Sequence, residues 1–300
     1  MKTHKLSNSR RKAFIGVIFL LPFFIHFAIF QIYPFFSTLA TSFTNANLMS
    51  LTQKFVGFKN YVSVLQDKLF IISLKNTFIY LLIDGVGVVV FGMLMALALN
   101  KKIRGLSFFR TTYYIPVLVD WTIVSIVFLF ILEPNFGIAN YFLRELGLPT
   151  QKFLTTPKQA LIIIAIASVW KGVGYYAVLF LAALQDVPET LKEAASLDGA
   201  GPVRIFFSIS LPHMMPVVVF VVLMAFIGSL KGFDQFYIMT SGGPARSTTT
   251  IMYYFYEVAF TNMNTSKGAT IAILFTIIVL AFTGTQRLLS NKLSGVEGVN

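Results

Sequence analysis

The chain has 300 residues and no cysteine, which excludes disulfides and thiolate metal sites. It is 56% hydrophobic and 12% charged, with a mean hydropathy of +0.75; soluble domains carry about 25% charged residues, so the long uncharged runs belong in lipid rather than in water. The net charge of +12 comes from Lys and Arg lying mostly between those runs, which points to orientation against anionic lipid and away from nucleic acid.

Six apolar stretches have the length a helix needs to cross about 30 Å of hydrocarbon. In chain order they are Ala13–Phe36, Thr77–Leu99, Thr111–Leu132, Gln159–Leu181, His213–Leu230 and Gly268–Gln286. The first is too long for a secretory signal, lacks a small-residue cleavage site and ends in Gln31-Ile-Tyr-Pro34, so it reads as a retained helix. His26 inside it reads as a neutral, hydrogen-bonded histidine. With His4 and His213 it is too scattered for a metal cluster, and no metal site is expected. Six spans return both termini to one side. The basic clusters Lys2, Lys5, Arg10, Arg11, Lys12 and Lys101, Lys102, Arg104, Arg110 make that side the cytoplasm. The expected organisation is a cytoplasmic segment 1–12, a six-helix membrane domain 13–290 and a cytoplasmic tail 291–300.

Between the fourth and fifth stretches lies EAASLDGAGPVRIFFSISLP, residues 193–212. Pro188 and Glu189 suit a first helical turn, the following residues are good helix formers, and Gly199 and Gly201 can end the helix. Pro202 can begin a second helix through Val203–Ser208, and Leu211-Pro212 forces a new start at the membrane. Leu191, Ala194, Ala195 and Asp198 share one face, whose small side chains would let another surface approach. A connecting loop and a docking surface both remain open on these signals.

Glu193-Ala-Ala195, Gly199, Ile209 and Leu211-Pro212, at this spacing, resemble the EAA loop of binding-protein-dependent ABC importer permeases. Further stretches are similar to carbohydrate-uptake permeases of the maltose and glycerol-3-phosphate type: Phe55-Val-Gly-Phe-Lys-Asn-Tyr61, Leu99-Asn-Lys-Lys-Ile-Arg-Gly105, Phe108-Phe-Arg110, Pro134-Asn-Phe-Gly137, Val169-Trp-Lys-Gly172 and Thr240-Ser-Gly-Gly-Pro244. The resemblance implies an all-α polytopic membrane protein with six transmembrane helices, the MetI-like ABC importer permease fold, with its coupling loop at 186–212. It implies that Glu193, Ala194, Ala195, Asp198, Gly199, Ile209, Leu211 and Pro212 couple to an ATPase that sits on the cytoplasmic face. It also implies the partners: a second homologous permease subunit forming a heterodimer, two copies of an ABC ATPase subunit and an extracytoplasmic solute-binding protein. ATP and Mg would be bound by the ATPase, with no cofactor in this chain. No GxxxxGK[ST] phosphate loop or Ser/His/Asp set occurs here, so no catalytic residue is assigned.

Asp84, Asp120 and Lys171 are costly within lipid, a few kcal/mol each, and should face protein or a water-filled path. Asp84, beside Gly85 and Gly87, suits packing or an ion pair as well as transport. Asp120 precedes Trp121, a residue common at membrane interfaces. Ser168, Lys171, Gly172 and Tyr175 fall on one broad face of the fourth span, and by resemblance this face lines the sugar site together with Ser229 and Gly232. Interhelical hydrogen bonding is the alternative for the polar residues other than Lys171. Gly242-Gly243-Pro244 reads as a turn; the resemblance places it with Asp234 and Gln235 on the side of the binding protein, and a solvated rim is the other reading. The expected function is import of a sugar or oligosaccharide by alternating access in a bacterial or archaeal cytoplasmic membrane. An importer of glycerol phosphate or another polar organic solute is the alternative, and an intramembrane enzyme a distant one.

Overall fold

The computed structural model describes residues 4–47, 53–100 and 105–293. Lys2, Lys101, Lys102, Arg104 and most of the expected tail, residues 294–300, lie outside them. Helices are the only regular elements among the described residues, joined by loops, with one isolated antiparallel bridge from Thr44 to Phe55. The elements are α1 (His4–Phe27), α2 (Tyr33–Ser42), α3 (Lys59–Leu65), α4 (Lys68–Leu99), α5 (Leu106–Leu118), α6 (Trp121–Ile131), α7 (Ile138–Glu145), α8 (Pro157–Asp186), α9 (Glu189–Leu197), α10 (Pro202–Ile205), α11 (Leu211–His213), α12 (Met215–Leu230), α13 (Asp234–Thr240), α14 (Ile251–Tyr256) and α15 (Thr265–Leu293).

Four apolar helices are long enough to span a membrane unaided: Gly16–Ser42, Lys68–Leu99, Pro157–Asp186 and Thr265–Gln286. The other two expected spans are broken. The third is α5 and α6 meeting at 99°; the fifth, expected over His213–Leu230, is α12 with Pro202–His213 meeting its start at 76°. The first break follows from local chemistry. Pro116 lies inside α5, Val119 is extended, and the Asp120 carboxylate accepts the Thr122 N–H at 2.8 Å, capping the start of α6. The second corrects the expected restart at Leu211-Pro212. A π turn, Phe206–Ser210, runs into α11, so the helix passes through Pro212 and stops at Met214 instead. The turn Ala28–Ile32 precedes Pro34 at the same two-residue distance. A π turn loosens the hydrogen-bond ladder close to where proline has no donor.

The chain divides into two compact units. One comprises Met1–Gln66 and Tyr256–Leu274. Its first helix exposes every described side chain from Gly16 to Ser37. The end of that helix is fastened: the Asn60 amide donates to the carbonyls of Ser42 and Thr44 at 2.8 and 2.7 Å, and the Ser42 and Tyr61 hydroxyls pair at 2.7 Å. Two residues of the 55–61 motif therefore act as a clasp.

The other unit comprises Asp67–Phe255 and Phe275–Asn300. Its centre is α4 against α8. A Cβ at Gly87 would lie 2.6 Å from Val169, and one at Gly92 would press on Tyr176 and Ala177. Small residues bring the backbones this close, and the rising pairs show that α4 and α8 run parallel. Against α4, α12 runs the other way: Asp84 meets Ser229, while Tyr80 lies beside Gly232. Two apolar cores form around these helices. One gathers Ala96, Leu99, Phe180, Leu184, Met214 and Val221; the other gathers Tyr80, Leu154, Leu161, Ile164, Phe236 and Met239.

Candidate functional site

Between the two cores, midway along α4 and α8, is a polar cavity of about 250 Å³. Ser168, Lys171 and Gly172 reach it from α8, Ser229 from α12, Gly232 from just beyond it, and Asp234 and Gln235 from α13. Asp84, Tyr80, Tyr176, Trp121 and Lys231 also line it. Lys171 is 92% buried by its 8% exposure. Its ammonium sits 5.0 Å from the centroid of the Trp121 ring and donates to the Val117 carbonyl at 3.4 Å. Among the described residues no carboxylate lies within 4.0 Å of it. The break between α5 and α6 makes this possible, because it exposes the last carbonyls of α5 and turns Trp121 over the lysine. A cation on an aromatic face is stabilised by about 0.5 to 2 kcal/mol, which eases its burial without a carboxylate in contact with it.

Asp84 is equally buried and is held differently. It accepts the Ser229 hydroxyl at 2.7 Å, and that hydroxyl also lies 2.9 Å from the Ala225 carbonyl. Gly85 makes the approach possible, since a Cβ there would meet the Phe226 ring at 2.6 Å. Gln235 donates to the Tyr80 hydroxyl at 2.8 Å, and Ser168 donates to the Ile164 carbonyl at 2.9 Å. The cavity thus offers two lysines, Lys171 and Lys231, two carboxylates, Asp84 and Asp234, aromatic faces and partly committed hydroxyls. This inventory suits a hydroxylated polar solute.

Two expected placements change. Tyr175 does not line the cavity and is 39% exposed; Tyr176 lines it instead. The row Ser168, Gly172, Tyr176 faces α4 with four-residue spacing, and Tyr175 lies about 100° around the helix from its neighbour. Gln235 points inward, 2% exposed, because α13 turns it onto Tyr80. Asp84 joins the wall with a partner 145 positions away, a pairing that sequence spacing does not signal. Trp121 could have been found from Asp120, whose capping role sets where α6 begins.

At one end of α8 lies the expected coupling segment, whose later part packs back on the unit through Phe206 and the buried Ser210. α9 has no buried residue; Leu197 is 90% and Val203 71% exposed. The segment closes on itself. The Ala200 N–H donates to the Ala195 carbonyl at 2.9 Å and the Gly199 N–H to the Ser196 carbonyl at 3.1 Å, the paired pattern that ends a helix on a left-handed residue. Gly199 supplies that residue at φ +80°. Glu193, Ala194, Asp198 and Gly199 are exposed, and Ala195 is half-buried. Ile209 lies in the π turn, with Leu211 and Pro212 in α11.

The loop after α13 is tied down instead. Gly242 takes φ +75° under the Tyr253 ring. The Thr249 hydroxyl donates to the Gly242 carbonyl at 2.9 Å and the Thr248 hydroxyl to the Gly243 carbonyl at 2.7 Å. Asn76 donates to the carbonyls of Arg246 and Thr249 at 3.0 Å each, and Thr77 accepts the Ile251 N–H at 2.9 Å. The peptide before Pro244 is cis.

Comparisons with known proteins agree with this architecture. Residues 88–295 match the family model described as binding-protein-dependent transport system inner membrane component. A Bacillus subtilis (strain 168) protein described as "Probable ABC transporter permease protein YurN" is 33% identical over 276 residues, covering 91% of this chain and 94% of that one. The sn-glycerol-3-phosphate transport system permease protein UgpA of Yersinia pestis is 31% identical over 278 residues, covering 91% and 93%. Among solved structures, a chain of a bacterial alginate ABC transporter in complex with an alginate pentasaccharide-bound periplasmic protein superposes with a TM-score of 0.87. It is 23% identical and covers 98% of this chain and all of its own length.

Proposed function

The chain belongs to the family of binding-protein-dependent transport system inner membrane components and is an ABC importer permease; from that premise we propose that it carries a sugar or oligosaccharide through the cavity around Lys171. The observation that carries this reading is the cavity itself, polar, halfway along α4 and α8, at the end of α12, and bounded on both sides by apolar core. Lys171, Trp121, Asp84 and Ser229 bind and orient the solute. A homologous second permease completes the pathway, and an extracytoplasmic binding protein delivers the solute. Two copies of an ABC ATPase, which hold ATP and Mg, engage the exposed surface of α9 through Glu193–Gly199. Their closure moves α9 and hence α8, opening the cavity to alternate sides. The 13–290 domain lies in the cytoplasmic membrane of a bacterium or archaeon, with segments 1–12 and 291–300 both cytoplasmic. The parallel course of α4 and α8 and the opposite course of α12 support this six-span arrangement.

The test is ATP-driven uptake by the complex reconstituted with its partner subunits and the binding protein, screened over neutral sugars. Lys171→Met and Asp84→Ala should each lower uptake at least tenfold without changing the amount of assembled complex. Full uptake in both variants would overturn the assignment of the cavity. The lack of a direct ion pair at Lys171 among the described residues favours a second reading, in which the solute carries a phosphate or carboxylate, as glycerol 3-phosphate does. Lys171→Gln should then abolish uptake of the acidic solute while a neutral sugar fails to stimulate the parent complex.

A further inference from the structure

The Phe108-Phe-Arg110 motif has no part in the cavity around Lys171, yet Arg110 opens a second cavity on the same cleft. This one, of about 460 Å³, lies between α5 and α8 nearer to α9. Arg110, Tyr113 and Tyr114 line it from α5, and Val178, Ala182 and Gln185 from α8. On α8, Lys171, Tyr175, Val178, Ala182 and Gln185 follow one another at alternating steps of four and three, which is one helical stripe. On α5, Val117, Tyr113 and Arg110 descend the same way. The two cavities are thus successive openings along a single helix pair.

They are parted by a waist at Gly174. A Cβ there would run into the Tyr113 carbonyl oxygen and approach the Tyr113 ring and Val117 side chain to 3.2 Å. Tyr113 therefore belongs to the waist and to the lower cavity; its hydroxyl is buried away from the opening and has no hydrogen-bond partner. Arg110 has no carboxylate within 4.0 Å among the described residues. An exposed guanidinium with no carboxylate within 4.0 Å among the described residues lines the cavity beside the Tyr113 ring, with the exposed Gln185 amide on the facing helix. These are donors for an anion.

We infer that the Arg110–Tyr113–Gln185 cavity is a second binding station, for a small hydroxylated solute bearing a carboxylate or phosphate, reached from the Lys171 cavity when α5 and α8 part at Gly174. The inference rests on the import reading for the identity of its occupant, and it adds a station and a basic residue that the reading does not need. Lys171 and Arg110 would hold the acidic group in turn, one on each side of the waist. A single weakly held stop on each side keeps a solute moving, whereas one tight site would retain it.

The absence of cysteine supplies the test. Ala182→Cys, in the full-length permease in inside-out membrane vesicles, is treated with an anionic sulfonatoethyl methanethiosulfonate and a cationic trimethylammonioethyl one. Rates are normalised to a free thiol. The anionic reagent should react about tenfold faster, the scale on which a local charge concentrates an ion in a cleft. Arg110→Gln should remove most of that preference and Arg110→Lys should keep it, which separates loss of charge from loss of folding. A preference that survives Arg110→Gln, or no reaction with either reagent, would overturn the station. Protection in phosphatidylglycerol vesicles but not in phosphatidylcholine vesicles would give the cavity to a lipid headgroup and overturn it equally. The labelling needs no ATP, so a failure of ATP-driven uptake would count against the import reading alone.

Discussion

Two polar segments of the same unit, the 189–213 segment and the 241–250 loop, handle their surfaces in opposite ways. The loop spends its hydrogen-bonding groups inside the chain: Thr248, Thr249 and Asn76 are buried and all donate to its backbone. α9 makes its own helix end and leaves apolar side chains in water, Leu197 above all. Segments finished by their own fold are built like the first. A segment that another protein completes looks like the second, because exposed leucine gains free energy only when something covers it. The structure therefore separates an element tied into its own unit from one whose apolar side chains are left uncovered, and the ATPase proposed above would cover the second.

The contrast can be broken most forcefully at Leu197. Leu197→Asp should lower ATP-driven uptake by more than tenfold and prevent retention of the ATPase during purification, while the permease keeps its thermal midpoint in detergent. A lowered midpoint would show that α9 is part of the folded core after all. Next in size, Asn76→Ala removes two buried hydrogen bonds to the loop and should cost about 2 kcal/mol of stability, seen as a fall in that midpoint, with uptake per folded molecule little changed. Gly199→Ala should follow at about 1 kcal/mol, because alanine tolerates the left-handed conformation poorly. Nothing lies within 4 Å of the added Cβ, so the cost comes from the positive φ alone, and an alanine at exposed Ser196 should affect uptake less. Thr248→Val, which keeps shape and loses one hydroxyl, should cost about 1 kcal/mol. Smallest of all, Glu189→Gln breaks an exposed ion pair with Lys192 (3.1 Å, side chains 77% and 18% exposed) and should leave both midpoint and uptake unchanged within error.

Much of this was legible in the sequence, and the exceptions have physical causes. Span positions follow from apolar length, and the end of α9 follows from Gly199 because only a residue tolerant of positive φ fits there. The two broken spans were hidden by continuous hydropathy: lipid accepts Thr111–Leu132 as one run, and only the capping carboxylate of Asp120 stops the helix. Tyr175 and Tyr176 differ by one helical step, too little for periodicity to decide which faces α4. The approach of Asp84 to Ser229 depends on how Gly85 admits α12, a fact of packing between distant segments. Gln235 lies in a stretch with loop-like composition, yet α13 turns it inward onto Tyr80.

The position of Lys171 along α8 has a mechanical consequence. Fourteen residues precede it in the helix and fifteen follow, so at 1.5 Å per residue each arm is about 21 to 23 Å long. A tilt of about 10° about this point would carry either end nearly 4 Å, in opposite directions, while the lysine itself scarcely shifts. Lys171 thus sits at the fulcrum of a balanced lever: a push at the α9 end reaches the far end at almost full stroke, and the solute site is the place on the helix disturbed least.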